Sequence, residues 1–248
     1  MVFSLAFALV LALLPGRAVG GADAGTVALL EAMEPAYARV SAYTARFIRQ
    51  ELVGGHLRPR EEALLKFQRP HRFYLRWIAG PPAGREMLHP ADAEGRVLVH
   101  EPGMLTRLFT AVIEPDSAHV LRESRHPVNH IGIGRLVMLI LDNARRALRE
   151  GQLDIMERGL STADAGRPER RLELVFPRAP EAGYYAHRAL VGIDMDTQLP
   201  VTATIFDARG RMIEDYAYRD VRLNPPLTAL DFDPANPDYR FPRWRVRP

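Results

Sequence analysis

The sequence predicts an α+β fold: a strongly curved, mostly antiparallel sheet of about ten strands, a half-barrel, with helices covering its concave face. Three observations lead there. Apolar residues alternate with polar ones at period two through most of the chain, for example Phe73, Leu75 and Trp77 against Arg72, Tyr74 and Arg76. The segments that alternate are joined by short turn clusters, which allow antiparallel neighbours but not parallel crossovers. Only two segments carry the 3.6-residue period of a helix.

In chain order, Val27, Leu30, Met33, Tyr37 and Val40 fall at helical spacing, with Thr26 as the expected N-cap and Pro35 as a possible kink. From Tyr43 the period becomes two: Tyr43, Ala45 and Phe47, then Ala63, Leu65 and Phe67 after the Gly54-Gly55 turn, then Phe73, Leu75 and Trp77 after Pro70. Further strands are expected at 84–89, 96–100 and 105–113, followed by a loop over 114–130. Leu136, Leu139, Ile140, Asn143 and Leu148 trace a second helix over 134–150, which Gly151 closes. Strand alternation returns at 152–158, 172–176, 189–193, 199–206 and 211–223, the last two forming a hairpin across the Asp207 to Gly210 turn. Two helices are too few to cover so wide a concave face, and a residual apolar cavity is the expected result.

Residues 1–24 are expected to be a cleaved signal peptide, leaving one domain over 25–248. Val2 to Leu14 is apolar apart from Ser4, too short to span a bilayer, and small residues at 18–20 and 22–24 suit a signal peptidase. No Lys or Arg precedes the run, which departs from the usual pattern. Export places the protein in the periplasm. The chain has no cysteine, which excludes disulfides, thiolate metal sites, a Cys nucleophile and a lipid anchor on Cys. Net charge is +3, with Lys66 the only lysine and the arginines scattered among acids, so nucleic-acid binding is not expected.

The chemically suggestive groupings are weak. His126 and His130 stand four apart near Glu123, but Pro127 argues against a helix there and no third metal ligand is evident. Ser124 lies near His126 without the Gly-x-Ser-x-Gly elbow of a hydrolase. Asp231, Asp233 and Asp238 lack the glycine and terminal Glu of a calcium loop, and read instead as a tail packed by Phe232, Tyr239 and Phe241. The sequence therefore predicts no metal, no cofactor and no catalytic activity. The strand residues Phe47, Phe67, Phe73, Leu75, Trp77, Tyr216 and Tyr218 are the expected ligand-contacting wall.

Several stretches resemble the LolA/LolB-like superfamily of periplasmic lipoprotein carriers. Ser41 to Phe47 looks like the first strand of a carrier, Lys66-Phe67-Gln68-Arg69-Pro70 like its Arg-Pro strand junction, and Leu230 to Tyr239 like its tail. The chain is most similar to a bacterial exported family of unknown function within that superfamily, on the Gln50-Glu51 step, Arg125-His126-Pro127 and the Phe232 to Phe241 tail. The resemblance implies that Arg69 contacts a lid helix. Together, residues and resemblance predict a periplasmic carrier that holds an acyl chain, lipid or lipoprotein segment between curved sheet and helical lid. The alternative is an envelope sensor or scaffold that binds a protein partner on the same concave sheet.

Overall fold

The computed structural model describes residues 23–90, 95–103, 109–162, 167–178 and 182–242. Helix α1 (Ala24–Ala38) leads into β1 (Ala42–Val53), β2 (His56–Leu57), β3 (Glu61–Gln68), β4 (Arg72–Ala79), β5 (Glu86–His89), β6 (Val97–His100) and β7 (Ala111–Ile113). A helical segment follows: α2 (Ala118–Glu123), a 3-10 turn (Val128–His130) and α3 (Ile133–Arg149). The chain then returns through β8 (Asp154–Ser161), β9 (Glu169–Val175), β10 (Arg188–Asp194), β11 (Pro200–Phe206) and β12 (Met212–Leu223).

These strands form one open, curved antiparallel sheet in the order β7-β6-β5-β4-β3-β1-β12-β11-β10-β9-β8, and the two-residue β2 pairs only with β1. The α+β half-barrel expected from the alternation is thus the architecture observed. Twelve strands are present among the described residues, against about ten expected from pattern alone. The two meanders join at the first long strand: β1 pairs on one side with β3 and on the other with β12.

The inward row of β1 explains both core and cavity. Tyr43, Ala45 and Phe47 are buried apolar side chains, and the same face then turns polar at Arg49 and Glu51. Across the ladder they meet Leu223, Tyr218, Tyr216 and Glu214 of β12. Phe47 stacks on Tyr218 with ring centroids 5.0 Å apart. Opposite, Phe67, Leu65 and Ala63 of β3 face Phe73, Leu75 and Trp77 of β4. This row is covered by α1 and α3, whose apolar faces join the same core.

Three local expectations need correction. The cap of α1 is Asp23, whose carboxylate accepts from the amides of Gly25 (2.8 Å) and Thr26 (3.1 Å); Thr26 lies in the first turn and donates its hydroxyl to Asp23. Both residue types cap well, and the acid one turn earlier takes the amides first. The helix continues through Pro35 to Ala38. The segment 114–130 is not all loop: it holds α2 and the 3-10 turn, elements of six and three residues that are too short to show a period.

The sheet also sets where α3 begins. The amide of Ile133 donates to the fully buried hydroxyl of Tyr43 (2.9 Å), satisfying a helix amide that otherwise has no partner. Gly132 precedes it at φ 112°, and a Cβ there would stand 2.7 Å from that hydroxyl. Only glycine fits both the left-handed backbone and the close approach. On the convex face, Phe232, Tyr239 and Phe241 of the tail pack with Tyr74 and Leu88, and Lys66 reaches Asp231 at 2.7 Å.

Candidate functional site

A cavity of about 270 Å³ lies between the concave sheet and the cover formed by α2, the 3-10 turn and the first half of α3. Its volume is roughly twice that of the ~150 Å³ apolar cavity that accepts a benzene-sized guest. Phe47, Leu75, Trp77, Met87, Val99, Tyr216 and Tyr218 form the sheet wall; Val120, Val128, Ile131, Leu136 and Leu139 form the cover. One end is polar, because the inward rows of β1 and β12 end there in charged residues.

At that end Glu51 and Glu214 stand directly opposite each other on β1 and β12, both buried. Like charges on facing positions repel, and a single residue from the cover bridges them with its backbone amide and its side chain. The amide of Arg125 donates to Glu51 (3.0 Å) while its guanidinium donates to Glu214 (3.0 Å) and to the carbonyl of Leu52 (2.9 Å). Tyr216 donates its hydroxyl to Glu51 at 2.6 Å. His126 Nε2 lies 2.8 Å from Glu214, and Tyr185 donates its hydroxyl to the same carboxylate. Ser124, Arg125 and His126 thereby latch the cover to the tip of the β1–β12 pair.

A second group of charges lies along the wall. Arg49 pairs with Glu61 at 2.9 Å and donates to the Ser124 hydroxyl at 3.3 Å. Trp77 donates its indole N–H to the same Glu61 at 2.9 Å, with the guanidiniums of Arg49 and Arg85 5.8 and 5.9 Å from its ring centroid. Arg85 holds Glu101 (2.6 Å) and Glu123 (2.8 Å). The acids and arginines of this end pair with one another, as buried charges must, and the second carboxylate oxygen of Glu214 is left without a hydrogen bond.

Burial pushes the Glu51 carboxyl up, but Arg49, the Tyr216 hydroxyl, the Arg125 amide and the Ser124 hydroxyl together carry it below the ordinary carboxylate range. Its folded value is then lower than its unfolded one. The resulting stabilisation is fully present above the unfolded value and is lost as pH falls through the folded value. Glu51→Gln is expected to flatten the acid limb of a plot of Tm against pH. An acid limb identical to wild type would remove Glu51 from acid sensitivity. Desolvation, with the charges of Arg135 and His126 nearby, moves His130 below the ordinary imidazole range.

Of the expected wall residues, Phe47, Leu75, Trp77, Tyr216 and Tyr218 line the cavity. Phe67 and Phe73 do not: Phe67 stacks on Tyr43 at 5.1 Å, and Phe73 is sealed in the core between Phe67 and His89. All seven share one face of the sheet, but the start of α3 stands over Phe67, where a Cβ built on Gly132 would lie 3.4 Å from its ring. Arg69 donates to the carbonyls of Ala38 (3.2 Å) and Val40 (3.3 Å) and lies over the Tyr37 ring, at the end of α1. The lid contact that the resemblance implies is therefore indirect, through Tyr37, against which Gly134 of α3 is packed too closely for any Cβ. The sequence did not single out Glu214, Tyr185, Arg49, Arg85 or Arg135 for the site. The traces of the latch are the short segments carrying Glu51 and Arg125, which have no assigned role in the sequence reading, and Ser124 and His126, which stand out there only as weak catalytic or metal candidates.

Ser124 and His126 do not form a nucleophile–base pair. The Ser124 hydroxyl accepts from the backbone amide of His126 at 3.4 Å, while the imidazole Nε2 turns to Glu214. Among the described residues, no group of three or more His, Asp or Glu side chains is placed to hold a metal ion. No helix among them is long and apolar enough to cross a membrane.

Comparison with solved structures shows the fold. The lipoprotein LppX of Mycobacterium tuberculosis aligns with a TM-score of 0.51 at 12% identity, over 84% of this chain and 100% of that one. The MucA/MucB complex of Pseudomonas aeruginosa aligns at 0.45 and 17% identity, over 81% of this chain and 58% of that one. A LolA superfamily protein of Nitrosomonas europaea aligns at 0.35 and 10% identity, over 83% and 96%. No curated protein matches the sequence. The family model described as "Protein of unknown function (DUF1571)" matches residues 40–241, more than half of the chain, which therefore belongs to this family.

Proposed function

We propose that this is an exported envelope protein that holds an apolar chain, such as an acyl group of a lipid or lipoprotein, between the curved sheet and its α2–α3 cover. The observation that carries this reading is the cavity of about 270 Å³, walled by Phe47, Leu75, Trp77 and Tyr218 and covered by a segment latched at Arg125. Burial of an acyl chain stabilises the complex by about 0.8 kcal/mol per CH₂, so release requires the cover to move. The protein acts by burial and release and turns nothing over; the Ser124 hydroxyl and His126 imidazole, engaged with other partners and not with each other, support this. Residues 1–22 of the proposed leader lie outside the described residues. A cut after Gly20 keeps the Asp23 cap of α1, whereas a boundary at 24 removes it.

Trp77 supplies the test, since it is 4% exposed and faces the cavity. The only other tryptophan, Trp244, lies outside the described residues. In a Trp244→Phe background, a brominated fatty acid is expected to quench the Trp77 emission saturably. A linear, non-saturating response would refute the carrier reading and turn attention to a protein partner on the same face.

A further inference from the structure

The cavity is not electrically uniform. At its polar end the acids are committed: Glu51 to Tyr216 and Arg125, and Glu101 and Glu123 to Arg85. Arg135 also lines the cavity, from the first turn of α3, but it is exposed and has no carboxylate partner among the described residues. Around it the wall is apolar, with Ile131, Leu136 and Leu139 on the neighbouring turns. His130 beside it is depressed by desolvation, then by the charges of Arg135 and His126, with no acid among the causes. Arg135 therefore borders this mouth with a positive charge that has no carboxylate partner among the described residues. A guanidinium at the rim of an apolar cavity can make a forked pair of hydrogen bonds to an oxyanion while the chain behind it enters the cavity.

We infer that the cavity takes a single-chain amphiphile whose anionic headgroup, a carboxylate or a phosphate ester, is held at the mouth by Arg135. This inference rests on the carrier reading above and names the headgroup class that reading leaves open. The N-terminal end of α3 adds to the attraction, since the positive end of a helix dipole favours anions.

The experiment compares laurate, dodecyl phosphate and dodecanol by Trp77 quenching competition, with acetate and inorganic phosphate as headgroups lacking a chain. The two anionic amphiphiles are expected to bind about tenfold more tightly than dodecanol, a difference of ~1.4 kcal/mol. Arg135→Gln is expected to bring that ratio close to one, and Arg135→Lys to keep most of it. Equal binding of laurate and dodecanol to the wild type overturns headgroup recognition and leaves the carrier reading standing. Failure of all three amphiphiles overturns both. Saturable binding of acetate or inorganic phosphate at amphiphile affinity overturns the inference in favour of a free-anion site. An Arg135→Gln variant that weakens laurate and dodecanol by the same factor shows a structural role only, and overturns it too.

Discussion

Replacing Arg125 with Ala is expected to lower stability by about 3–5 kcal/mol, the usual cost of leaving one partner of a buried ion pair alone. Glu214 is fully buried, and loss of the guanidinium leaves it with His126 and Tyr185 only, directly opposite Glu51. In a chain of this size, each kcal/mol shifts Tm by about 2–4 °C, so the drop is large enough to read by calorimetry. The same change unfastens the cover, so bound amphiphile should exchange faster from the variant at temperatures where it is still folded. The double variant Arg125→Ala, Glu214→Leu should be more stable than the single one, because it removes the orphaned charge with its partner. A double variant no more stable than Arg125→Ala would mean that the salt bridge is not what the cover depends on.

Phe73→Ala is expected to cost a similar amount, about 3–5 kcal/mol, for a different reason: it empties a fully packed site. The side chain is 1% exposed, with Phe67 across the β3 ladder and His89 across the β5 ladder. Because it is packed in the core between Phe67 and His89 and does not line the cavity, amphiphile affinity of the folded variant should stay within about twofold of wild type, a change below 0.5 kcal/mol. Denaturant unfolding measures the first quantity and Trp77 quenching the second. A stability loss under about 1 kcal/mol, or a selective loss of binding well below Tm, would return Phe73 to the cavity wall.

These two residues show where sequence reasoning stops. Alternation placed Phe73, Leu75 and Trp77 on one face, and they are on one face. Period two reports which way a side chain points but not what stands over it. Whether that space is packed or left open is decided by segments distant in sequence, such as the cover that carries Val128 and Leu136 over the cavity, and no local pattern records it. Arg125 was out of reach for a related reason. Its two carboxylates come from β1 and β12, 163 positions apart in the chain, and their opposition exists only once the sheet pairs its first long strand with its last.

The sequence by itself determined the class of fold, because alternation, short turns and the scarcity of helical periods each act through neighbouring residues. It determined that covering helices would be few, and hence that a cavity was to be expected. Tertiary structure alone decided which five of the seven chosen wall residues meet that cavity, that Asp23 and not Thr26 caps α1, that Arg69 reaches α1 and not the cover directly, and that Arg135 stands at the mouth without an acid. The physical reason is the same in each case. Direction along a strand is set by backbone geometry one residue at a time, whereas burial, pairing and the balance of charge are set by whatever the rest of the chain brings alongside.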